Sequence, residues 1–358
     1  MERIKSVRDF MLDGQKPKEE KKDNYIPLDL EVALGEHGEY VQSGETCRID
    51  LLKDHMAWMR GFVSAWYGWP SAGKSLFISY MMMVKSIRDG WRWGIYSPEE
   101  MNASVENGKL KIKADRIYWN LAWIYSGRTW NRQFSEKHNC QMMTKEESKE
   151  ALEFVTKHFF VIHPSDRTIE SILDNFQSLN ERFNNLDGFL IDPWNVVKMD
   201  NMKRADEMLT DAFIDVKQFA MLTNSCFNII SHPRSLKEVK ASSEKHSPYK
   251  VVNQFMQSGG AAWDNKMDVQ YSIERPNSHL EPRDPFVKFH NLKQRQFEIV
   301  GVNKGTVGED QKIEFDFKKR RYYFNGVDVV DGSLKSGLQT QSSLFDQSKK
   351  VETDKLPF

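Results

Sequence analysis

The stretch from Phe62 to Met83, FVSAWYGWPSAGKSLFISYMMM, places a turn of glycine, proline and serine between two apolar segments. Its centre, GWPSAGKS from Gly68 to Ser75, is a full match to the pattern G-x-x-x-x-G-K-[ST]. In such a loop the glycines let backbone N–H groups point at phosphates, the lysine neutralises phosphate oxygens, and the last hydroxyl binds Mg²⁺. The preceding residues can form a buried strand, and Leu76 to Val84 contains no helix breaker. A strand–loop–helix unit that binds a nucleoside triphosphate is therefore predicted, with ATP and Mg²⁺ as the expected ligands.

The loop itself supplies the first predicted site residues. Those expected to hold nucleotide are Gly68, Pro70, Ser71, Ala72, Gly73, Lys74, Ser75 and Leu76. Ser75 is also the first predicted Mg²⁺ ligand, and the positive end of the following helix adds to phosphate binding. The alternative is a chance match in an ordinary turn, and the strand and helix on either side favour phosphate binding over it.

Composition limits the remaining possibilities. The chain has 358 residues, enough for one large α/β domain with extensions. Its mean hydropathy is −0.63, no apolar run is long enough to span a bilayer, and the N-terminus lacks the apolar segment of a signal peptide. Cys47, Cys140 and Cys226 lie far apart, which is typical of a reduced cytoplasmic protein and argues against disulfides or a zinc site. The net charge is zero, so any nucleic-acid contact needs a local basic patch.

Three parts are predicted along the chain. They are an N-terminal arm and linker at 1–44, an α/β domain at 45–326, and a disordered tail at 327–358 that is rich in Ser, Gln, Lys and Asp. Within the domain, strand-like and helix-like segments alternate, as in a mostly parallel central sheet flanked by helices. Helices are expected near 76–88, 168–184 and 202–222. Strands are expected at 62–67, 93–96, 159–162, 188–191, 226–230, 269–273 and 286–289.

Three of the predicted strands end in residues that suit phosphate chemistry. Asp192 ends one strand and its carboxylate suits Mg²⁺, although strands often end in aspartate at turns. Glu99 and Glu100 follow another strand, where a glutamate can deprotonate an attacking water or the acidic pair can simply favour a helix N-terminus. His232 follows a third and can hydrogen-bond a γ-phosphate, although a lone histidine is usually structural.

Together these motifs resemble those of the DnaB-like replicative helicases of superfamily four, including the helicase halves of phage primase-helicases and of Twinkle. The resemblance covers residues 45–325 and implies a RecA-like P-loop NTPase core. It is carried, in the family's order, by GWPSAGKS, Ser97-Pro98-Glu99, Leu190-Ile191-Asp192, His232-Pro233-Arg234 and Lys293-Gln294-Arg295. The segment SGGAAWDNKMD, from Ser258 to Asp268, is similar to the family's glycine-rich segment.

The resemblance implies a role for each matching residue. The implied catalytic set is Lys74, Glu99, His232, Asn265, Lys293 and Arg295. Within it, Glu99 is the base that activates water, and His232 and Asn265 respond to the γ-phosphate. Asp192 joins Ser75 in binding Mg²⁺. Arg275 and Phe315 fall where the family places residues that flank the nucleotide base.

Lys293 and Arg295 carry the expectation of a homo-hexamer. In the family, the arginine of the K-x-R strand end reaches the ATP of the neighbouring subunit, so that hydrolysis depends on assembly. From the residues alone, both could equally be solvated charges at a strand edge.

The expected contact with single-stranded DNA and a forked duplex is the polar, modestly basic segment after His232. Phosphate contacts of this kind give sequence-independent, salt-dependent binding. The predicted DNA-binding residues are Arg234, Lys237, Lys240, Lys245 and Lys250. Glu238 and Glu244 dilute the charge, so an ordinary solvated loop is the alternative. The resemblance implies translocation from 5′ to 3′.

The two ends of the chain carry further expectations. An apolar pattern from Ile4 to Met11 predicts a helix that docks on the adjacent subunit or is merely a frayed end. Only 67 residues precede Gly68, too few for a primase domain, so a separate primase, and a loader where one is needed, are expected. QSSLF, from Gln341 to Phe345, is similar to peptides that bind bacterial sliding clamps, and the final DKLPF resembles the end of bacterial single-stranded DNA-binding proteins, although such matches often arise by accident. These features favour a phage or mobile element acting in the bacterial cytoplasm.

Two other function classes share the P-loop core. A RecA-like recombinase or recombination mediator would bind DNA as a filament without translocating, and the K-x-R and Ser-Pro-Glu motifs favour the helicase over it. A non-catalytic loading factor or scaffold would not need a complete set of hydrolytic residues.

Overall fold

The computed structural model describes residues 31, 44–106, 109–199, 205–234, 250–277, 284–309 and 312–332. Strands β1 to β15 have these bounds in chain order: Gly44–Thr46, Ala57–Met59, Val63–Tyr67, Trp93–Tyr96, Asn102–Glu106, Lys109–Lys113, Phe159–Val161, Gly188–Ile191, Cys226–Ile230, Val269–Glu274, Phe286–Gln294, Gly305–Val307, Ile313–Asp316, Arg321–Phe324 and Val327–Asp328. Helices α1 to α8 have these bounds: Lys74–Asp89, Asp115–Ser126, Arg132–His138, Lys145–His158, Ile169–Arg182, Ala205–Leu222, Gly260–Lys266 and Phe297–Val300. Short 3₁₀ turns lie at Pro98–Glu100, Trp194–Val196 and Gln254–Met256.

One large sheet organises these elements. Its strands follow the order β15-β14-β13-β11-β10-β3-β9-β8-β4-β7, and β12 also pairs with β11. The six strands from β10 to β7 run parallel, as the alternation of strand-like and helix-like segments predicts. β11 pairs antiparallel with β10 and begins an antiparallel extension through β13, β14 and β15. The predicted α/β class is confirmed, and the antiparallel extension adds to it.

Two apolar cores cover the two faces of the sheet. On β3, Trp66 belongs to one core, whereas Val63 and Ala65 at alternate positions belong to the other. Parallel strands covered on both faces are expected to be apolar throughout, and β3 is buried at four of its five positions. Helix α1 also contacts α2 on its outer side, which explains its run of three methionines, from Met81 to Met83, with every side chain buried.

The strands and three helices expected from the pattern are present, but the chain between β4 and β7 contains more. It forms the β5–β6 hairpin and helices α2, α3 and α4. Helix α2 is rich in Tyr, Trp and Ile, residues that favour strands in isolation, and burial of one face overrides that preference. Helix α4 begins with a reciprocal capping box, in which the Thr144 hydroxyl accepts from the Glu147 N–H and the Glu147 carboxylate accepts from the Thr144 N–H.

The folded domain continues past the predicted boundary at 326. Val327–Asp328 pairs with β14, and Val330 is buried. Asp328 and Asp331, which look like tail residues by composition, form ion pairs with the buried Arg321. Residues 327–332 therefore belong with the sheet.

Several predictions lie outside the described residues. They are the helix from Ile4 to Met11, the contacts of Lys237, Lys240 and Lys245, and the two tail peptides beyond residue 332. Among the helices that the structure does describe, none has the length and apolar character of a membrane span.

Candidate nucleotide site at the carboxyl edge of the sheet

Five neighbouring parallel strands end at one edge of the sheet. The residues that follow them are the P-loop after β3, Glu99 after β4, Asp192 after β8, His232 after β9 and Arg275 after β10. Because the carboxyl ends of parallel strands lie together, this topology collects residues from distant parts of the chain. A cleft of about 210 Å³ opens there between the P-loop, α1 and α2.

The P-loop conformation depends on glycine at two positions. Gly68 has φ +154°, and a Cβ added there would lie 2.6 Å from the Ile273 carbonyl oxygen. Gly73 has φ +88° and caps the N-terminus of α1. Both values lie where side-chain-bearing residues are strained. Ser71 also adopts a left-handed conformation, with φ 63°. The loop therefore has the tight curl that the sequence predicts for a phosphate-binding loop.

Lys74 lies at the base of this loop. Its side chain is buried, and its ammonium donates hydrogen bonds to the carbonyl oxygens of Gly68 at 2.9 Å and Trp69 at 3.0 Å. Burial lowers the pKa of Lys74 to about 8, against the opposing charges of Asp192 and Glu99. A phosphate oxygen would offer this desolvated cation a charged acceptor.

The two predicted Mg²⁺ ligands are in direct contact. The Ser75 hydroxyl donates a hydrogen bond to the carboxylate of Asp192, and burial raises the pKa of that carboxyl to about 7, with the nearby Glu100 and Glu99 acting in the same direction. A hydroxyl and a carboxylate suit Mg²⁺, which usually takes only one or two protein oxygens and completes its shell with water and phosphate. Across the described ranges no cluster of three or more His, Cys, Asp or Glu residues could hold a metal by itself. The residues present therefore fit a nucleotide-bound Mg²⁺ ion.

Two glutamates lie at the end of β4. Glu100 lines the cleft and accepts a hydrogen bond from the Asn120 side chain at 3.3 Å. Glu99, the predicted base, is exposed, but its charge acts on both Lys74 and Asp192. The structure thus brings the predicted residue to the site and adds its neighbour as a second candidate.

His232 is fixed through its backbone. Its N–H donates to the Asn195 side-chain oxygen at 3.0 Å, and the Asn195 amide donates back to the His232 carbonyl at 3.4 Å. The His232 ring lines the cleft, and its buried Nδ1 has no hydrogen-bond partner among the described residues. Burial, with Lys74 nearby, lowers the pKa of His232 to about 4. The ring is therefore neutral at pH 7 and available to a ligand.

The residues predicted to flank the nucleotide base lie together beside the P-loop. The Arg275 guanidinium lies 5.9 Å from the centre of the Phe315 ring. Phe315 packs against Tyr322 at 5.0 Å between ring centres, and the Tyr322 hydroxyl donates to the Gly73 carbonyl at 3.3 Å. Tyr322 thereby links the predicted base site to the phosphate loop.

Lys293 and Arg295 lie at the opposite edge of the sheet. β11 runs antiparallel to β10, and its Gln294 pairs with Val269, which pairs in turn with Ser64 near the start of β3. The P-loop follows the other end of β3, about 13 Å away at the usual rise per residue. Lys293 and Arg295 therefore cannot act on the nucleotide of their own subunit.

Asn265 accompanies Arg295 at this opposite edge. It is exposed, and its carbonyl oxygen accepts from the Arg295 guanidinium at 3.0 Å. The structure therefore does not bring Asn265 to the γ-phosphate side of its own P-loop, because the short helix α7 carries it to the start of β10 instead.

The described ends of the predicted DNA-binding segment lie close to the P-loop. The exposed Arg234 donates its N–H to the Met256 carbonyl and its guanidinium to the Ser258 hydroxyl. At the far end, the indole of the P-loop residue Trp69 donates to the carbonyl oxygen of the exposed Lys250 at 2.9 Å.

Three residues of this site were missed by the sequence analysis. They are Asn195, Arg320 and Tyr322. Arg320 and Tyr322 come from the antiparallel extension, far along the chain from the P-loop, and no local motif marks them. Only knowledge that the β13–β14 hairpin folds over α1 and α2 could have identified them.

The comparisons with known proteins agree with this architecture. No family model matches the sequence, and neither does any curated protein. Among solved structures, a helicase ATPase domain matches with a TM-score of 0.59 at 11% identity, over 83% of this chain and 96% of that one. A DnaB-like replicative helicase, described with its interactions with primase, matches with a TM-score of 0.58 at 13% identity, over 83% of this chain and 68% of that one. The chain therefore has the fold of the DnaB-like helicase ATPase domain.

Proposed function

We propose that this chain is the subunit of an ATP-driven, ring-shaped replicative DNA helicase. In this proposal six copies form a ring, hydrolyse ATP with Mg²⁺, and translocate on single-stranded DNA from 5′ to 3′, separating a forked duplex. The DnaB-like fold supports a nucleotide-driven helicase in general terms, and the arrangement of charged residues supports the ring.

The observation that carries the proposal is the division of the hydrolytic residues between two edges of the sheet. The P-loop, Asp192 and His232 share one cleft, whereas Arg295 lies at the opposite edge with part of its side chain in solvent. A cation added from a neighbour can stabilise the charge that develops on the transferred phosphate, and such arginines contribute 10³–10⁵ in kcat. A chain whose cation lies away from its own cleft is suited to hydrolysis between subunits.

Within each site the roles follow from geometry. Lys74 and the P-loop amides would hold the phosphates, while Ser75 and Asp192 would bind the Mg²⁺ that neutralises phosphate charge. Glu99 is proposed as the base that removes a proton from the attacking water, with Glu100 as the neighbour to test beside it. His232, neutral at pH 7, would hydrogen-bond the γ-phosphate.

Arg275 and Phe315 are proposed to bracket the nucleotide base. The guanidinium and the ring already lie beside one another and beside Tyr322. A planar base can stack on an aromatic ring or on a guanidinium plane. Asn265, beside Arg295, is proposed to act at the neighbour's nucleotide with it.

DNA contact is assigned to the segment from Arg234 to Lys250. Both described ends of this segment carry an exposed cation, and both adjoin the P-loop edge. Binding through phosphates would weaken steeply with salt and would not depend on sequence. The hydrogen bond from Trp69 to Lys250 offers a direct path between nucleotide and DNA.

Partners are proposed on the same basis. One of the similar structures is described with its interactions with primase, which supports a separate primase as a partner here. The QSSLF and DKLPF peptides are proposed to recruit a sliding clamp or other replication proteins. A pull-down with residues 333–358 tests this, and recovery of neither a clamp nor any replication protein would count against both peptides.

The deciding experiment is strand separation on a forked duplex with a 5′ single-stranded tail, in ATP and Mg²⁺. Lys74→Ala serves as the inactive control. Unwinding by the native protein alone establishes the helicase, and preference for the 5′ tail over a 3′ tail establishes polarity. Hydrolysis stimulated by DNA without unwinding would favour the filament-forming recombinase or a missing loader, and particle shape on single-stranded DNA would separate these two.

A further inference from the structure

An arginine from the far end of the domain enters the P-loop cleft. Arg320 lies in the turn of the hairpin formed by β13 and β14, and it lines the cleft with Ser71, Lys74 and Asp192. The hairpin belongs to the antiparallel extension of the sheet, so its turn reaches the site from outside the parallel strands.

The hairpin turn is held on helix α2 by several bonds. The next residue, Arg321, is buried, donates to the carbonyl oxygens of Ile124 and Tyr125, and forms ion pairs with two aspartates of the same segment. The Trp123 indole donates to the carbonyl oxygen of Lys318 at 2.9 Å. These contacts fix the backbone on which Arg320 stands, and Arg320 itself has a left-handed φ of 55°.

Arg320 uses its side chain differently from Arg321. Its guanidinium lies over the Trp123 ring at 4.8 Å from the ring centre. Within the described ranges it forms no ion pair and no hydrogen bond, although the charge of Glu100 acts on it. Burial lowers the pKa of Arg320, which means that its charge has lost water without gaining a direct partner.

A guanidinium in this position has unmet hydrogen-bonding capacity. It carries five N–H donors in a planar fork, and leaving such donors without acceptors in a partly buried cleft costs free energy. The fork matches phosphate geometry, and stacking on an aromatic ring fixes the plane in which it points. A phosphate bound at the P-loop would supply the missing acceptors.

We infer that Arg320 is a phosphate-binding residue, supplied by the same subunit, that contacts the terminal phosphate of a nucleoside triphosphate in the P-loop cleft. The inference rests on the proposed function only in requiring that the P-loop binds nucleotide. Glu100 and Asp192, which line the same cleft, lie at the strand ends where the terminal phosphate and its Mg²⁺ are expected. The terminal phosphate adds charge that a diphosphate lacks, so Arg320 favours triphosphate over diphosphate.

Arg320 and Arg295 therefore differ in where they act. Arg295 lies at the edge opposite its own P-loop and needs a neighbour, whereas Arg320 lies in its own cleft and acts in an isolated subunit. Loss of Arg320 is expected to weaken triphosphate binding without DNA and at protein concentrations too low for assembly.

The test compares nucleotide affinity in Arg320→Gln, Arg320→Lys and the native protein. The probes are a non-hydrolysable ATP analogue and ADP, both with Mg²⁺, titrated without DNA. Arg320→Gln is expected to weaken the ATP analogue about tenfold or more, the usual effect of losing a charged hydrogen bond, and ADP by less than about threefold. Arg320→Lys keeps the charge without the fork and is expected to fall between.

Lys319→Gln is the matched control. Lys319 stands on the same turn, but it is exposed and donates to the Tyr323 hydroxyl at 2.8 Å. Its replacement is expected to leave both affinities unchanged. Thermal unfolding of each variant is measured beside binding, so that loss of the hairpin's fold is recognised.

Three outcomes would overturn the inference. Unchanged affinity for the ATP analogue in Arg320→Gln would remove Arg320 from the phosphate site. Equal losses for the ATP analogue and ADP, with a lower melting temperature, would make Arg320 a structural residue of the hairpin. Absence of ATP binding by the native protein would overturn both this inference and the proposed function, whereas native binding without unwinding would affect the helicase proposal alone.

Discussion

The carboxyl edge of the sheet and the edge opposite it both hold buried aspartates near cations, yet they treat them differently. Asp192, at the carboxyl edge, accepts a hydrogen bond from Ser75, and burial raises the pKa of its carboxyl to about 7. Asp268, at the opposite edge, forms ion pairs with Lys217 at 2.7 Å and Arg295 at 2.9 Å and also accepts the Val63 N–H.

The difference separates a site prepared for a ligand from a network complete in itself. At the carboxyl edge the cationic groups of Lys74 and Arg320 lack a carboxylate in direct ion-pair contact among the described residues. At the opposite edge the carboxylate of Asp268 is fully satisfied by its own chain. Perturbed and under-satisfied charges therefore mark the place where phosphate and Mg²⁺ would complete the structure. Arg295 is the exception at its edge, because 44% of its side chain is exposed and can reach a neighbour.

Arg295→Gln is the change expected to have the largest effect. If Arg295 acts on the neighbour's nucleotide, kcat for ATP hydrolysis falls about 10³-fold or more, while nucleotide binding to a single subunit is unchanged. Steady-state hydrolysis in the presence of single-stranded DNA measures the loss, and a titration with a non-hydrolysable ATP analogue measures binding.

Mixing variants tests whether the arginine acts between subunits. Lys74→Ala and Arg295→Gln are each expected to be inactive alone. In mixed assemblies, some interfaces join an intact P-loop to an intact Arg295, so partial activity should return. No recovery, in assemblies verified to contain both variants, would assign Arg295 to the Asp268 network alone.

Asp268→Asn is expected to have the largest effect on stability. It leaves Lys217 and Arg295 without their shared counter-charge. Breaking a buried ion pair usually costs 3–5 kcal/mol, but both cations are partly exposed and can turn to water, so a loss of about 2 kcal/mol in the free energy of unfolding is expected. Denaturant unfolding measures it. Asp264→Asn, a half-buried neighbour that accepts from Gln254, should change stability by less than about 0.5 kcal/mol; equal losses in the two variants would contradict the comparison.

Asp192→Asn is expected to behave in the opposite way. The folded protein holds the Asp192 proton up to a pKa of about 7, whereas the unfolded chain releases it near the ordinary value of 3.8. This group therefore lowers stability as pH rises from about 4 to about 7, by at most about 1.4 kcal/mol per pH unit. Asp192→Asn removes that slope, and at pH 7.5 it should be at least as stable as the native protein while hydrolysing ATP more slowly.

Unfolding is followed in EDTA between pH 5 and pH 8, where no Mg²⁺ binds the carboxylate. The informative quantity is the difference between the two proteins at each pH, since other groups titrate equally in both. A variant less stable than the native protein at pH 7.5, or a difference that does not change with pH, would make Asp192 a structural residue like Asp268.

The parallel half of the fold and its cleft could be predicted because their signals are local. β3 and the P-loop form a continuous pattern, and Asp192 and His232 each directly follow an apolar strand. Since parallel strands align their carboxyl ends, strand position alone predicts that these residues meet. The pairing of Ser75 with Asp192 and the approach of Arg275 to Phe315 agree with that expectation.

The rest depended on contacts that no local pattern encodes. Helix α2 contains residues that favour strands, and only its packing against α1 makes it a helix. Arg320 reaches the cleft because Arg321 anchors the hairpin on α2, a contact between distant parts of the chain. Residues 327–332 look like a polar tail until Asp328 and Asp331 are seen to neutralise Arg321. Side chains that satisfy one another over long sequence separations are therefore where the sequence alone was insufficient.

The smallest predicted effect concerns the contact between the P-loop and the DNA-binding segment. The Trp69 indole donates to the Lys250 carbonyl oxygen at 2.9 Å, and Trp69→Phe keeps the aromatic ring while removing the donor. A hydrogen bond of this kind contributes about 1 kcal/mol, so stimulation of hydrolysis by single-stranded DNA should fall about fivefold, with hydrolysis in the absence of DNA little changed. Trp130→Phe, a partly exposed tryptophan stacked on Trp119 away from the cleft, is the matched control and should keep full stimulation. If Trp69→Phe lowered both rates equally, Trp69 would serve the shape of the P-loop alone, and the link between nucleotide and DNA would have to run through the clamp that Asn195 forms on the His232 backbone.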